Sequence, residues 1–268
     1  TEKKDVGRAF GFHRAADTLG ASVGPLAAFL ILPLIENDLR TLFFLSFVAS
    51  FCAVIVLQVF VREVESREET NLPFPKFEFR SLGTPFLIFL IVSVVFSLGK
   101  ASEAFLLLRA HDIGVLLAYL PLVYVVYTIT FALSSTPAGI LSDAIGHRNT
   151  FMIGMLIFSG TYVLFAHVAT IAGLLLLFVI YGFYSAFTEG TGRAIVADLV
   201  GEEQRGMAYG IYSAFTGIAL LPGSLLFGFL WDYFGFEVSF YYGAVLGIFA
   251  FIIFLFLRVK NGGRSILY

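Results

Sequence analysis

Charged residues are scarce in this chain. Asp, Glu, Lys and Arg together make up 13% of its 268 residues, whereas a soluble domain averages about 25%. Hydrophobic residues make up 59%, and long apolar runs recur from one end to the other. This composition excludes a soluble protein and a secreted protein with a single targeting segment, and it indicates an integral membrane protein.

Cysteine is also nearly absent, since Cys52 stands alone and so excludes an intrachain disulfide. The sequence contains no zinc-ligand spacing, no Walker loop and no nucleophile elbow. We therefore expect neither a metal site nor a cofactor. We also expect no enzyme, because no nucleophile, base and oxyanion donors stand at the spacing of a known motif. The net charge of −2 is uninformative about partners, and we expect no nucleic acid among them.

The apolar runs are long enough to span a bilayer, which takes about 20 residues. They lack the period-two alternation of barrel strands, so the predicted fold class is an all-α polytopic membrane protein. Short links between most runs predict antiparallel neighbours. The predicted spans are Gly7–Ile35, Arg40–Val61, Gly83–Ala110, Val115–Leu141, Thr150–Val168, Ile171–Leu199, Arg205–Trp231 and Glu237–Leu257.

The basic residues of the loops predict the orientation. Nearly all Lys and Arg of the loops fall on one side, and the other side carries only Arg40 and Arg109. By the positive-inside rule the first side is cytoplasmic, together with the long loop 62–82 and the tail 261–268. We expect the cytoplasmic (inner) membrane of a prokaryote.

One helix pattern occurs twice. Gly7–Leu30 and Gly206–Leu230 align without a gap, and six spans separate the starts of the two copies. A repeat of six helices in the same direction is a transporter plan. On that plan residues 1–61 are the last two helices of an N-terminal bundle, and 62–82 is a linker. Residues 83–260 form a complete six-helix bundle, and four N-terminal helices are missing from this chain.

The loop after the fourth span carries a recognisable motif. Gly139, Asp143, Gly146 and Arg148 match the pattern G-x-x-x-D-x-x-G-[RK]-R, with His147 in place of the usual basic residue. This resembles the cytoplasmic signature loop of the major facilitator superfamily, which lies between the second and third helices of each repeat, as it does here. The resemblance covers the whole chain. It implies that the chain has that family's fold and corresponds to helices five to twelve of it.

The signature loop also has a physical interpretation. Gly139 allows two helices to approach closely, and Gly146 permits a tight turn. In the family the aspartate latches onto the partner bundle. We therefore expect Asp143 near Arg8 or the start of the first span; the alternative is a solvated turn aspartate.

A second motif lies in the first span. Gly11, Gly20, Gly24 and Pro25 form the pattern G-x8-G-x3-G-P, which resembles the fifth-helix motif of the exporting proton antiporters. Close packing through the glycines and a kink at the proline are expected. The alternative is the small-residue packing common to membrane helices.

Three pairs of opposite charge stand at helical spacing inside the spans, and each pair is expected to share one helix face. The family resemblance implies that the third and sixth spans line the central cavity, with Ser97, Ser102, Tyr124, Tyr127, Tyr181, Tyr184 and Ser185 as polar lining. Charged groups inside a membrane are costly and favour a functional role; the alternative is a salt bridge that stabilises packing. The pairs are Arg14 with Asp17, Lys100 with Glu103, and Glu189 with Arg193.

Asp17, Glu103 and Glu189 are candidate proton carriers, because apolar surroundings favour a protonated carboxylate. Ser213 and Thr216 occupy the places of Arg14 and Asp17 in the second copy. We therefore expect Gly206–Leu230 to serve packing and its echo to hold part of the mechanism.

The leading hypothesis is a secondary active transporter that works by alternating access and exports a small molecule in exchange for protons. One alternative is a proton symporter or uniporter for a polar nutrient such as a sugar or an organic acid. Another is a transporter-like sensor or scaffold that moves nothing. We expect a monomer in the lipid bilayer.

Overall fold

The computed structural model describes residues 6–36, 38–60 and 82–256, and every regular element within them is helical. The predictions for the linker and the tail thus lie outside the described residues, apart from residue 82. The helices are α1 Val6–Ile31, α2 Leu39–Phe60, α3 Thr84–Gly99, α4 Glu103–Asp112, α5 Leu120–Ile145, α6 His147–His167, α7 Ile171–Leu199, α8 Arg205–Phe234 and α9 Phe236–Phe256.

Most of these helices have the length and composition of membrane spans. Seven helical segments in the described ranges are long and apolar enough to cross a bilayer, with α3 and α4 together forming one of them. The first predicted span contributes only a shorter apolar stretch, Gly20–Ile35, because Arg14 and Asp17 lie in its first half. The all-α polytopic fold class is confirmed.

The six spans from α3 to α9 pack as one bundle. Helix α3 contacts α8 and α9, α6 contacts α7 and α9, and α5 contacts α7. Helix α1 lies against α5 and, less extensively, against α7. At the α1–α5 interface the buried Ser22 hydroxyl donates to Thr128 Oγ1 at 2.9 Å, an interhelical bond that suits an apolar surrounding.

Aromatic side chains fill the centre of the bundle. Their rings meet mainly in tilted or edge-to-face contacts, such as Phe96 with Phe158 at 5.0 Å between centroids. Each ring buries a large apolar area against the neighbouring helices and packs closely with the rings around it. The fully buried aromatic residues are Phe86, Phe89, Phe96, Phe151, Phe158, Tyr162, Phe165, Phe178, Phe227, Phe240 and Phe254.

The third predicted span is broken, which corrects the prediction of one continuous helix. Helix α3 ends at Gly99, Lys100 has an extended backbone (φ −79°, ψ 128°), and α4 begins at Glu103 with Ser102 as its N-cap. Lys100 and Glu103 therefore do not share one helix face. The Ser102 hydroxyl accepts a hydrogen bond from Ala104 N at 3.3 Å, as an N-cap residue does.

Two arginines at opposite ends of the bundle donate hydrogen bonds to the last carbonyls of a neighbouring helix. Arg109 in α4 is buried, and its Nη2 donates to Val168 O at 2.7 Å, just beyond the end of α6. Arg148 in α6 donates to Leu255 O, near the end of α9, at 2.7 Å. The last carbonyls of a helix have no intrahelical donor, so these contacts satisfy groups that hydrocarbon could not.

Candidate functional site

An open cavity of about 830 Å³ enters the bundle between α3, α4, α5, α7 and α8. Its walls combine aromatic rings with hydroxyl and charged groups. A cavity of this size falls within the range of small-molecule sites, which are mostly apolar with a few polar groups. In a membrane protein, charged and polar groups that face an internal cavity are typical of a water-filled or ligand-filled path.

The break between α3 and α4 opens onto this cavity. Its backbone groups find partners on other helices: Ala101 N donates to the Tyr162 hydroxyl at 3.0 Å, and Ser102 N donates to Ser224 Oγ at 3.1 Å. The Tyr242 hydroxyl donates to Leu98 O at 2.9 Å. Non-helical backbone is tolerated in a membrane only when it is buried in protein or lines a cavity; here Lys100, Ala101 and Ser102 line the cavity, and Ala101 is also buried.

Close approach of three helices holds the break in place. A Cβ added to Gly223 of α8 would lie 2.7 Å from Leu98 O, and one added to Gly243 of α9 would lie 2.6 Å from Gly99 O. Glycine is therefore required at both positions, because any side chain would push α8 or α9 away from the end of α3.

The structure brings four of the predicted charged residues together along the cavity: Lys100, Glu103, Glu189 and Arg193 all line it. The Lys100 ammonium lies over two aromatic faces, 4.9 Å from the centroid of Phe96 and 5.5 Å from that of Tyr184. Such cation–π contacts hold a cation against an otherwise apolar wall. The break thus presents Lys100 and Glu103 to the same space by a route that helical spacing did not predict.

The uncharged lining agrees with the sequence interpretation at all but one position. Ser97, Ser102, Tyr127, Tyr181, Tyr184 and Ser185 line the cavity, whereas Tyr124 does not. Tyr124 instead packs its ring against Tyr127 at 5.5 Å. Tyr127 is held in position by its hydroxyl, which lies 3.2 Å from Ser185 Oγ on α7.

Helix α8 contributes more to the cavity than the sequence predicted, so the assignment of Gly206–Leu230 to packing alone is corrected. Short hydroxyl side chains suit both helix packing and cavity lining, which is why the repeat comparison missed them. The available signal was that Ser213, Thr216 and Ser224, at spacings of three and eight residues, fall near one face of the helix. The cavity-lining residues of α8 are Tyr212, Ser213, Thr216, Gly217, Leu220, Leu221, Ser224 and Leu225.

The motif in α1 is only partly described. Gly20 and Gly24 are exposed, and a Cβ added to either would meet nothing within 4 Å, so close packing there remains a prediction. Pro25 lies inside the helix, and Asp17 is exposed. The predictions for the side chains of Arg8 and Arg14, and for the surroundings of Gly11, fall outside the described side chains.

The signature loop forms the predicted turn. Gly146 has a φ of +93° between α5 and α6, a conformation that glycine adopts without the strain of a side chain, and Gly139 is buried in α5. Because the side chain of Arg8 is not described, the proposed latch from Asp143 stays a prediction. Within the described residues, Asp143 Oδ1 lies 3.3 Å from His147 Nε2.

The fold and the cavity define a multi-pass helical membrane protein with a polar path inside its bundle. Residues 89–266 match the family model of the Major Facilitator Superfamily, and the chain belongs to that family of transporters. An uncharacterised MFS-type transporter of Methanocaldococcus jannaschii is 32% identical over 260 residues, which are 95% of this chain and 65% of that protein.

Two resistance proteins are more distant relatives. The tetracenomycin C resistance and export protein of Streptomyces glaucescens is 26% identical over 47% of this chain and 23% of its own length. The quinolone resistance protein NorA of Staphylococcus aureus is 27% identical over 62% of this chain and 41% of its own length. The chain spans less than two thirds of the length of each of these relatives.

Proposed function

We propose that this chain is the larger part of a secondary active transporter that exports a small molecule in exchange for protons. The observation that carries the proposal is the cavity, which holds Glu103, Glu189, Lys100 and Arg193 inside an apolar bundle. Membrane proteins retain such groups at a cost, and the groups mark substrate or proton paths. The names of two relatives, an export protein and a quinolone resistance protein, favour export.

The proposed topology follows the repeat and the basic loops. Helices α1 and α2 belong to an N-terminal bundle whose other four helices precede this chain, and 83–260 is the C-terminal bundle. The cavity then faces the partner bundle, and rocking of the two bundles exposes it to either side. The signature-loop end lies in the cytoplasm of a prokaryote, and the transporter works as a monomer.

The test is reconstitution of the full-length transporter in liposomes, with lumenal pH followed while candidate substrates are added. Antiport predicts that each transported substrate drives protons in the opposite direction. Glu103→Gln and Glu189→Gln remove a proton-binding group with little change in shape, so coupled proton flux is expected to fall to the rate of protein-free vesicles. Asp17→Asn tests the candidate on α1 in the same way.

Glu203→Gln is the matched control, because Glu203 is exposed in the turn before α8 and does not line the cavity. It is expected to couple normally. Normal coupling in all three test variants would show that the carboxylates named here carry no proton.

One observation favours a second function. The cavity wall carries serine and threonine hydroxyls on α3, α7 and α8, among them Ser93, Thr188 and Thr216. Hydroxyls suit a polar nutrient such as a sugar or an organic acid, and a symporter would move it in the same direction as protons. Flux in the same direction in the liposome assay selects this function, and no flux with a broad panel of compounds selects a sensor or scaffold.

A further inference from the structure

A second charged cluster lies outside the cavity, where α5, α6 and α7 meet at the signature loop. His147 Nδ1 lies 2.7 Å from Asp198 Oδ2 on α7, and His147 Nε2 lies 3.3 Å from Asp143 Oδ1 on α5. The His147 and Asp143 side chains are largely shielded, with relative exposures of 11% and 14%, whereas Asp198 is partly exposed at 24%. One imidazole ring therefore connects three helices through both of its nitrogens.

The number of hydrogen-bond donors that the two contacts need indicates the protonation state of the His147 ring. An ionised carboxylate only accepts hydrogen bonds, and a neutral imidazole donates from one nitrogen alone. With a neutral ring, one carboxylate oxygen would face a nitrogen lone pair. Imidazolium donates to both Asp143 and Asp198, and its charge strengthens each bond. With Asp143 and Asp198 both ionised, the two contacts are therefore both satisfied only by the imidazolium form of His147.

The neighbouring charges do not replace that proton. On α6 itself, Arg148 turns away and donates to Phe254 O and Leu255 O of α9. Ahead of α8, Glu202 pairs with Arg205 at 3.9 Å, and Tyr209 lies near Asp198, Arg193 and Arg205. On α1, the sequence predicts that Arg8 lies near Asp143, and its side chain falls outside the described side chains.

We propose that His147 is a proton-binding site outside the substrate cavity, which joins α5 to α7 when protonated and releases one of them when neutral. An arginine at this position would keep its charge at all physiological pH values, whereas histidine exchanges a proton within that range. The connection between the helices thereby becomes sensitive to pH on the signature-loop side. The His147 site lies within one bundle and is independent of the direction of transport and of the substrate.

The direct test is nitrogen NMR of the purified protein in lipid nanodiscs with ¹⁵N-labelled histidine, in which the two ring nitrogens distinguish imidazolium from neutral imidazole. His147→Gln assigns the signal. We expect both nitrogens of His147 to be protonated at pH 7. Asp198→Asn removes one charge partner and is expected to lower the pH at which His147 loses its proton by about one unit or more.

Two controls accompany the measurement. His111, whose ring contacts Val115 O at the opposite end of the bundle, is expected to give the same ¹⁵N spectrum in wild type and Asp198→Asn. Asp112→Asn, also at that end, is expected to leave His147 unchanged. A neutral His147 at pH 7, or a titration that Asp198→Asn does not shift, overturns the proposal.

A stability measurement tests the helix connection separately. Deprotonation of His147 weakens the connection, so the melting temperature of the wild-type protein is expected to fall as pH rises from 6 to 9. In His147→Arg, which keeps a cation between the two carboxylates, we expect a clearly smaller fall. An equal fall in both proteins refutes the role of His147, and if the arginine variant does not fold, the NMR comparison still decides.

Discussion

Helix α8 packs tightly against the end of α3 at the candidate site, and Gly223→Ala tests this contact. The new Cβ would lie 2.7 Å from Leu98 O and 3.1 Å from both Leu98 C and Leu98 Cα. These are backbone atoms, so the clash cannot be relieved by rotating a side chain, and the two helices must separate. Leu98 O also accepts a hydrogen bond from the Tyr242 hydroxyl at 2.9 Å. Separation of the helices is expected to lengthen or break that hydrogen bond.

Three terms determine the expected magnitude. Overpacking of a tight site costs about 1–3 kcal/mol. Loss of the Tyr242 hydrogen bond costs about 0.5–1.5 kcal/mol. Alanine gains about 1 kcal/mol over glycine in a helix interior. The clash outweighs the gain, and we expect a net loss of about 1–3 kcal/mol in the free energy of unfolding.

The fluorescence of Trp231 provides the assay. It is the only tryptophan in the sequence, it lies in α8, and its ring packs on Phe105 and Phe227. Thermal unfolding of purified protein in nanodiscs is followed through its emission. A loss of this size in a chain of this length lowers the melting temperature by several degrees, at about 2–4 °C for each kcal/mol.

Gly210→Ala is the matched control on the same helix. A Cβ at Gly210 would meet nothing within 4 Å, so only the gain in helix propensity remains. We expect its melting temperature to equal or exceed that of the wild type. If Gly223→Ala is as stable as Gly210→Ala, the close approach of α8 does not constrain the break, and the requirement for glycine at position 223 is refuted.

Two further predictions concern helix ends. Hydrogen bonds from the Thr41 hydroxyl and the Arg40 amide hold the pKa of Asp38 below its ordinary value. The stabilisation they give is therefore present at neutral pH and lost as pH falls through the lowered pKa. Asp38→Ala is expected to accelerate amide hydrogen exchange in the first turn of α2, with Asp38→Asn closer to wild type; equal exchange in all three proteins would contradict a capping role. Arg109→Lys cannot reach both Phe165 O and Val168 O, to which Arg109 donates at 3.4 and 2.7 Å, because lysine has no forked guanidinium. It is expected to lower the melting temperature, whereas Arg40→Lys, in the exposed first turn of α2, is expected not to; equal melting temperatures would remove the structural role of Arg109.

The sequence predicted much of the fold because each span is a local property. A stretch of about 20 apolar residues must satisfy its own backbone hydrogen bonds in hydrocarbon, and only a helix does so within one segment. This argument did not predict the break in the third span, because apolar residues on both sides of the break make Thr84–Asp112 one span by length and composition. Gly99, followed by Ser102 and Glu103, was the available signal, since glycine often ends a helix and serine begins one.

The charges of the site were named from sequence, but the reasoning for one pair was wrong. Lys100 and Glu103 line one cavity because the chain is extended between them, and not because three residues span most of a helical turn. Asp198 and His147 were not joined in the sequence interpretation. They are 51 positions apart, and only the packing of α6 against α7 makes them neighbours.

By itself, then, the sequence determined a polytopic helical membrane protein and a signature loop with a glycine turn at Gly146. It also identified charged residues inside the spans, whose burial in a membrane costs so much free energy that a function is expected of them. These conclusions depend on residue type and short spacing. Gly99 and Ser102 mark where the third span can break, but only the tertiary structure stabilises the break, because Tyr162 and Ser224 must be in place to accept the backbone N–H groups freed there. The tertiary structure also decided that α8 lines the cavity, since helical periodicity identifies a face but not the partner which that face meets.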